Sequence, residues 1–320
     1  MATPTVRSSM DAPSAASFKL EDAQDLARIA RSVRNYQGGV LLTEKGGVSD
    51  PADVAVVHKY RQLCTALHGS DAALLGFRAW EADADVLTQE QADSIISEVV
   101  VPLDGPPSGW QRRGSSKSVD GVAGTSRKTF GVELDGKYRV VERSDMPPLL
   151  RELGERLRAR CADCEWPYSR CSNSAALTSA EFEQAYIQRY VPGQPSATLG
   201  FHFDSFGSFG ELIVGVTLVG SAQLLLRKCG PAMSGDFVSQ PASVAADPRT
   251  FAHALAPLGA YALTGLCRYD LKHAVVNDGA TERISVTFRS VNWKKASVPK
   301  ALKSENEAAT PPRKRARAPE

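Results

Sequence analysis

The spacing of apolar residues changes character along the chain. Before residue 70, apolar positions recur at helical spacing in Leu20 to Arg34 and in Pro51 to Leu67, separated by Gly38-Gly39 and Gly46-Gly47, where backbone entropy opposes a helix. From Leu75 the pattern mixes. Gly76 to Trp80 is strand-like, and Thr88 followed by Glu90 and Gln91 has the order of an N-cap opening a helix through Val100. Pro147 to Cys161 places Leu149, Leu150, Leu153 and Leu157 on one stripe, as a helix bracing a sheet would. Beyond Phe182 the period becomes two, or the runs become continuously apolar: Ala185 to Tyr190, Leu212 to Leu218, Gln223 to Leu226, Ala260 to Leu263 and Ile284 to Val291. Short strands with Pro/Gly turns between them predict a mainly β fold with flanking helices (α+β), built as an antiparallel sandwich or barrel.

This pattern divides the chain into a helical, partly disordered N-terminal extension (1–70), a main domain (71–293) and a tail (294–320). The main domain carries a Gly-, Pro-, Ser- and Ala-rich surface insertion at 228–249. Composition adds little except at the end of the chain. The formal net charge is only +2, yet residues 294 to 320 hold eight Lys/Arg against three Glu, so the basic character is local. The run Pro311-Pro312-Arg313-Lys314-Arg315-Ala316-Arg317 has no apolar periodicity and reads as a disordered tail with the form of a nuclear-import signal. A protein that is nuclear, or nuclear and cytoplasmic, is the expectation; a solvated charge run is the plainer alternative. With 42% hydrophobic and 23% charged residues, and no apolar run long enough to span a bilayer, no membrane partner is expected. The first residues lack the order of a secretory signal, which predicts reduced cysteines. Cys161-x2-Cys164-x6-Cys171 lacks a fourth ligand at a spacing that would make it a zinc site.

The chemistry is concentrated in the β-rich half. In His202-Phe203-Asp204, two-residue spacing on extended backbone sends both ligating side chains to one face. Two imidazoles and one carboxylate form the facial triad of non-heme iron(II) oxygenases, so a second histidine is needed. His58 and His68 fall in the helical extension and His253 in the insertion, whereas His273 precedes a strand; by elimination His273 completes the set. Alternation along Arg283-Ile284-Ser285-Val286-Thr287-Phe288-Arg289 puts Arg283, Ser285, Thr287 and Arg289 on one face. An inward guanidinium needs an anionic partner, and a dicarboxylate bound to iron at one end would supply it, with Arg283 at its distal carboxylate. Alone, such a strand reads more simply as a wet edge.

The order H-x-D, then His, then R-x-S-x-T-x-R, with Arg268-Tyr269-Asp270-Leu271-Lys272-His273 leading into it, resembles the AlkB family of Fe(II)/2-oxoglutarate dioxygenases over roughly Leu75 to Trp293. Gln188-Arg189-Tyr190-Val191-Pro192-Gly193 is similar to the family's N-x-Y-x-P-G strand, with Gln188 in place of Asn. His202 to Glu211 and Leu263-Thr264-Gly265 are most similar to the fourth animal AlkB-homologue group. The resemblance implies a double-stranded β-helix (jelly-roll) core. It implies iron on His202, Asp204 and His273, and 2-oxoglutarate contacted by Tyr190, Gln188, Arg283, Ser285 and Arg289. With dioxygen, such a site oxidises an N-methyl group to a hemiaminal that releases formaldehyde, and 2-oxoglutarate becomes succinate and carbon dioxide. The implied substrate is a methylated DNA or RNA base or a methylated lysine in a protein. A basic, aromatic-edged segment, Trp110 to Gly131, falls where a substrate lid would be, with Trp110, Arg112, Arg113, Arg127, Lys128 and Phe130 as its contacts; an ordinary solvated loop is the alternative. A catalytically silent module that binds nucleic acid or a chromatin partner, and a hydroxylase on the same core, are the competing readings.

Overall fold

The computed structural model describes residues 19–32, 50–63, 69–104, 111–112, 125–135, 138–166, 177–191, 198–205, 207–227, 247, 249–277, 280–294 and 296–298. The insertion at 228–246, Trp110, Arg113, Cys171, His68 and the basic cluster Arg313 to Arg317 lie outside them.

Helices α1 (Leu20–Ser32), α2 (Pro51–Leu63) and α3 (Gly69–Leu74) precede the first strand, β1 (Phe77–Trp80). Helix α4 (Gln89–Ile95) starts where Thr88 predicts it. Thr88 accepts from the Gln91 backbone while the Gln91 side chain accepts from the Thr88 backbone, which satisfies two of the donors that every helix start exposes. The helix then widens into a π turn over Ile96–Val100 and tightens to a 3-10 turn over Val101–Asp104. Next come the short β2 (Gln111–Arg112), β3 (Thr125–Leu134), β4 (Val140–Arg143) and α5 (Pro148–Ala162). The remaining elements are β5 (Gln184–Tyr190), β6 (Thr198–His202), β7 (Phe209–Val219), β8 (Ala222–Arg227), β9 (Thr250–Leu255), β10 (Ala260–Leu263), α6 (Gly265–Tyr269), β11 (Lys272–Asn277) and β12 (Arg283–Val291).

The strands form two antiparallel sheets. The larger runs β1-β10-β7-β12-β5-β3-β2, with β4 added to β3; the smaller runs β6-β11-β8-β9. No helix among the described residues is long and apolar enough to cross a membrane.

Strand alternation sorts the larger sheet's two faces. Its outer face carries Val214, Val216, Ile187, Val286 and Phe288, buried against α4 and α5 through Ile95, Leu150, Leu153 and Leu157. At about 25 cal/mol per Å² of apolar surface removed from water, this layer is a principal source of the sheet's stability. The inner face grades from apolar to polar. Near β1 and β10 it offers Phe77 and Leu263, which join Leu224, Leu226 and Val275 of the smaller sheet in one cluster. Ala23, Leu26, Ile29 and Tyr60 of α1 and α2 belong to the same cluster, so the N-terminal helices close the apolar end of the space between the sheets. Toward β12, β5 and β3 the inner rows become polar: Thr217, Ser285, Gln188 and Arg127 lie side by side, as do Thr287, Tyr186 and Thr129.

Two expectations are corrected. Residues 125–134 are strand rather than loop, so Arg127, Lys128 and Phe130 are fixed in the sheet; long-range pairing with β5 overrides a composition that looks loop-like. His253 lies on β9, packed near the Phe77 and Phe251 rings, rather than in an insertion. The wet-edge alternative for residues 283 to 289 also falls, because β12 is hydrogen-bonded to β5 on one side and β7 on the other.

Candidate metal centre

His202 ends β6 and His273 is the second residue of β11, and the antiparallel register sets them opposite each other. Their ring centroids are 4.2 Å apart. Asp204 lies two residues past His202, and ligand atoms of all three residues fall within 4.8 Å of one another. This is the one such group of potential metal ligands found among the described residues.

The local chemistry prepares these atoms for a cation. The Nδ1 of His202 donates to the Gly200 carbonyl at 2.8 Å, which leaves Nε2 as the nitrogen with the lone pair. Burial pushes His273 down to about 3, with His202 adding to the effect and Asp204 opposing it, so the imidazole is neutral at physiological pH. Burial would raise the Asp204 carboxyl, but Arg289, then His273 and Arg268, outweigh it and hold the group well below the usual carboxylate range. One carboxylate oxygen, Oδ1, takes the Arg289 guanidinium at 2.6 Å. The other, Oδ2, is buried without a hydrogen-bond partner among the described residues, 3.5 Å from Nε2 of His273. A buried anionic oxygen in that position is costly unless a cation fills it. The residues therefore fit a metal ion: they are a two-histidine, one-carboxylate triad of the kind used by Fe(II)/2-oxoglutarate oxygenases.

The turn carrying Asp204 is held from two directions. Arg268, 1% exposed on α6, donates to the Asp204 carbonyl at 2.7 Å and to the Ser205 carbonyl at 3.0 Å. The Tyr138 ring lies against Gly207, where a Cβ would come within 2.4 Å of it. Tyr138 itself adopts a left-handed backbone (φ 63°), a conformation that costs about 1 kcal/mol or more away from glycine.

The expected co-substrate residues come together on the larger sheet's inner face. Arg283 pairs in register with Tyr190, 5.3 Å from its ring centroid, and Ser285 pairs with Gln188. The Arg283 guanidinium donates to Ser285 Oγ and Thr217 Oγ1, both at 3.1 Å, while its Nε is buried without a partner among the described residues. Burial depresses the Arg283 pKa, opposed by Tyr190 and Tyr261, and among the described residues no carboxylate pairs with this guanidinium. Arg289 is placed differently. It is committed to Asp204 and to Gln184 Oε1 at 3.1 Å, with the Tyr186 and Phe209 rings 5.2 and 4.8 Å from its guanidinium carbon.

A cleft of about 220 Å³ opens beside the triad, walled by Arg127, Thr129, Glu133, Tyr186, Gln188 and Phe209 among others. Of the expected lid residues that the structure describes, Arg127 alone lines it. Lys128 stands 5.8 Å from the ring of Phe130, and Phe130 packs against the outer core. Arg112 is in β2, paired with Ser126. Cys161 is buried in α5 with its thiol pKa pushed up by burial, which makes it a packing residue rather than a ready metal ligand.

Sequence reasoning passed over Gln184, Tyr186, Thr217 and Tyr261. The first two carried a signal, since Gln184, Tyr186, Gln188 and Tyr190 alternate along β5. Thr217 and Tyr261 sit in apolar runs and carried none.

The acid side of the stability curve follows from these shifts. His273 titrates near 6.5 when unfolded and near 3 when folded, so below pH 6.5 the unfolded chain takes up the proton first. Stability contributed by neutral His273 is full above that pH and is lost progressively as pH falls toward 3. Metal-free His273→Gln is expected to show a shallower loss of denaturation midpoint between pH 6.5 and 4 than wild type; equal slopes would refute the assignment.

No protein-family model matches the chain, and no curated protein matches it. Among solved structures it is similar to OsALKBH1, at 15% identity over 67% of this chain and 98% of that one, with a TM-score of 0.47. A Pseudomonas putida prolyl-4-hydroxylase follows at 14% identity, 70% and 96% coverage and a TM-score of 0.40. An oxidoreductase of the 2OG-Fe(II) oxygenase family from Burkholderia pseudomallei gives 15%, 71% and 93%, and 0.43. Likenesses this distant bear on neither substrate nor reaction.

Proposed function

We propose that this protein is an AlkB-type Fe(II)- and 2-oxoglutarate-dependent dioxygenase with a double-stranded β-helix core spanning residues 71–293, acting as an oxidative N-demethylase. The observation that carries the reading is a pair of buried groups left incomplete among the described residues: Asp204 Oδ2, beside two histidines and not taken by Arg289, and the Arg283 guanidinium, which no described carboxylate meets. A metal held by a dicarboxylic oxo acid would answer both.

In this reading His202, Asp204 and His273 hold the iron, and Arg283, Ser285 and Tyr190 hold the distal carboxylate, with Gln188 alongside. When bound, iron with the oxo acid supplies oxidation of a substrate C–H bond by dioxygen, with succinate and carbon dioxide as products. The protein's own residues do the rest. Arg289 occupies one oxygen of Asp204 and so directs the other to the metal. Arg268 fixes the backbone from which Asp204 projects. Arg127, whose buried Nε has no partner among the described residues, stands in the cleft wall where an anionic part of the substrate would pass. The substrate would be a methylated nucleobase or a methylated lysine, reached by a protein that the basic tail directs to the nucleus.

Anaerobic titration with Fe(II) and 2-oxoglutarate should develop a weak visible charge-transfer band in wild type and none in His202→Ala. In air, succinate and formaldehyde should appear in equal amounts with a methylated substrate. No band in wild type defeats the oxygenase reading, and succinate without formaldehyde replaces demethylation by hydroxylation.

A further inference from the structure

Tyr261 lies in an apolar strand, yet its position serves more than packing. It pairs in register with Gly215 on β7, and Gly215 in turn pairs with Thr287 on β12. The ring lies across Gly215 so closely that a Cβ there would stand 2.4 Å from Cε1 and Cζ and 2.7 Å from the hydroxyl oxygen. Any residue but glycine at 215 would lift the ring away. The phenol is thereby carried off its own strand and over β7, toward the row next to that of Thr217 and Ser285, the two hydroxyls on which Arg283 rests.

The ring is accounted for by packing, since Tyr261 belongs to the apolar cluster of Phe77, Leu263 and Leu224. Phenylalanine would satisfy that cluster equally. The hydroxyl is what remains to be explained: Tyr261 is 7% exposed, its hydroxyl oxygen is not among the fully enclosed polar atoms, and no hydrogen bond from it is found among the described residues. Its donor is therefore open to a ligand or to water. Arg283, Asp204, Tyr190 and Arg289 are the charged and titratable groups that act on it. Burial pushes the phenol up to about 12, so it stays protonated and can donate.

We propose that Tyr261 donates a hydrogen bond to the distal carboxylate of the bound oxo acid, as a further contact beside Arg283 and Tyr190, and that Gly215 is the seat that lets it reach. This rests on the oxygenase reading above. It assigns the co-substrate pocket a wall on β10, on the far side of β7 from Arg283.

The test is anaerobic titration of full-length wild type and Tyr261→Phe with Fe(II), then with 2-oxoglutarate, reading the charge-transfer band and the thermal midpoint. Tyr261→Phe keeps the ring, so its midpoint and Fe(II) affinity should match wild type while 2-oxoglutarate affinity falls about tenfold or more, as expected for one hydrogen bond to a charged group. Gly215→Ala, which keeps the hydroxyl but displaces the ring, should weaken 2-oxoglutarate in the same direction. If wild type fails to bind 2-oxoglutarate, the oxygenase reading falls. If wild type binds and Tyr261→Phe binds equally well, only the Tyr261 assignment is overturned. Loss of Fe(II) affinity in Tyr261→Phe in parallel with 2-oxoglutarate would also overturn it, because the residue would then be structural.

Discussion

Replacing Asp204 with alanine is expected to abolish Fe(II) binding and, separately, to destabilise the metal-free protein. The first effect follows from the loss of the only carboxylate in the triad. It should exceed the roughly 10- to 100-fold cost of losing even an outer partner of a metal ligand. The second follows from Arg289, 13% exposed, which would lose its ion partner while enclosed by the Tyr186 and Phe209 rings. Breaking one side of such a buried pair costs about 3–5 kcal/mol. His273→Ala is the informative contrast. It also removes a ligand, but leaves Asp204 and Arg289 together, so its metal-free denaturation midpoint should stay well above that of Asp204→Ala. Denaturant unfolding of both variants, with Fe(II) titration alongside, checks the pair of outcomes. Retained Fe(II) affinity in Asp204→Ala would remove the metal centre from consideration.

The second large effect has opposite signs for binding and for stability. Arg283→Met should reduce 2-oxoglutarate affinity by about tenfold or more, since in the proposed reading the lost contact would be a charge-assisted hydrogen bond. Yet the metal-free protein should be as stable as wild type or more stable. Arg283 is 2% exposed, its charged form is disfavoured by burial, and replacing a buried charge by an apolar side chain of similar length is often neutral or favourable. Isothermal titration with Mn(II) in place of iron, together with thermal melts, reads both. A marked drop in melting temperature with unchanged 2-oxoglutarate affinity would mean that Arg283 supports the fold rather than a ligand.

Much of this arrangement was legible in the sequence because period-two alternation is a local property. The polar face of β12 could be written down from residues 283 to 289 alone, and the strand pairing places Arg283 and Ser285 beside Tyr190 and Gln188 as that alternation requires. His202 and Asp204 were legible for the same reason. What local pattern could not show is which strand lies beside which. Arg127 looked like part of a mobile lid because Gly, Ser, Arg and Lys dominate its surroundings; only pairing with β5, some sixty residues later, makes it a wall of the cleft. Alternation points to Arg289 as a co-substrate contact, but nothing in the local pattern reveals that the Asp204 carboxylate lies 2.6 Å from it. Tyr261 and Thr217 are silent in sequence, as a single polar atom in an apolar run is indistinguishable from core. The helices of the first 70 residues were correctly placed in outline, but their burial against Leu224 and Leu226 depends on a sheet that forms more than 150 residues downstream.

The central place of β12 in the larger sheet also governs how the protein is assembled during synthesis. Strands β5 and β7 are made long before residues 283–291, and each presents an unpaired edge until β12 enters between them. Contacts of such wide sequence separation form slowly, because loop closure must precede their reward. A nascent chain that has grown past His273 but not to residue 283 therefore holds His202, Asp204 and His273 but lacks Arg283 and Arg289. Chaperone protection of the β5 and β7 edges is most needed in that interval, and a chain cut short there would carry potential metal ligands without the charges that order them.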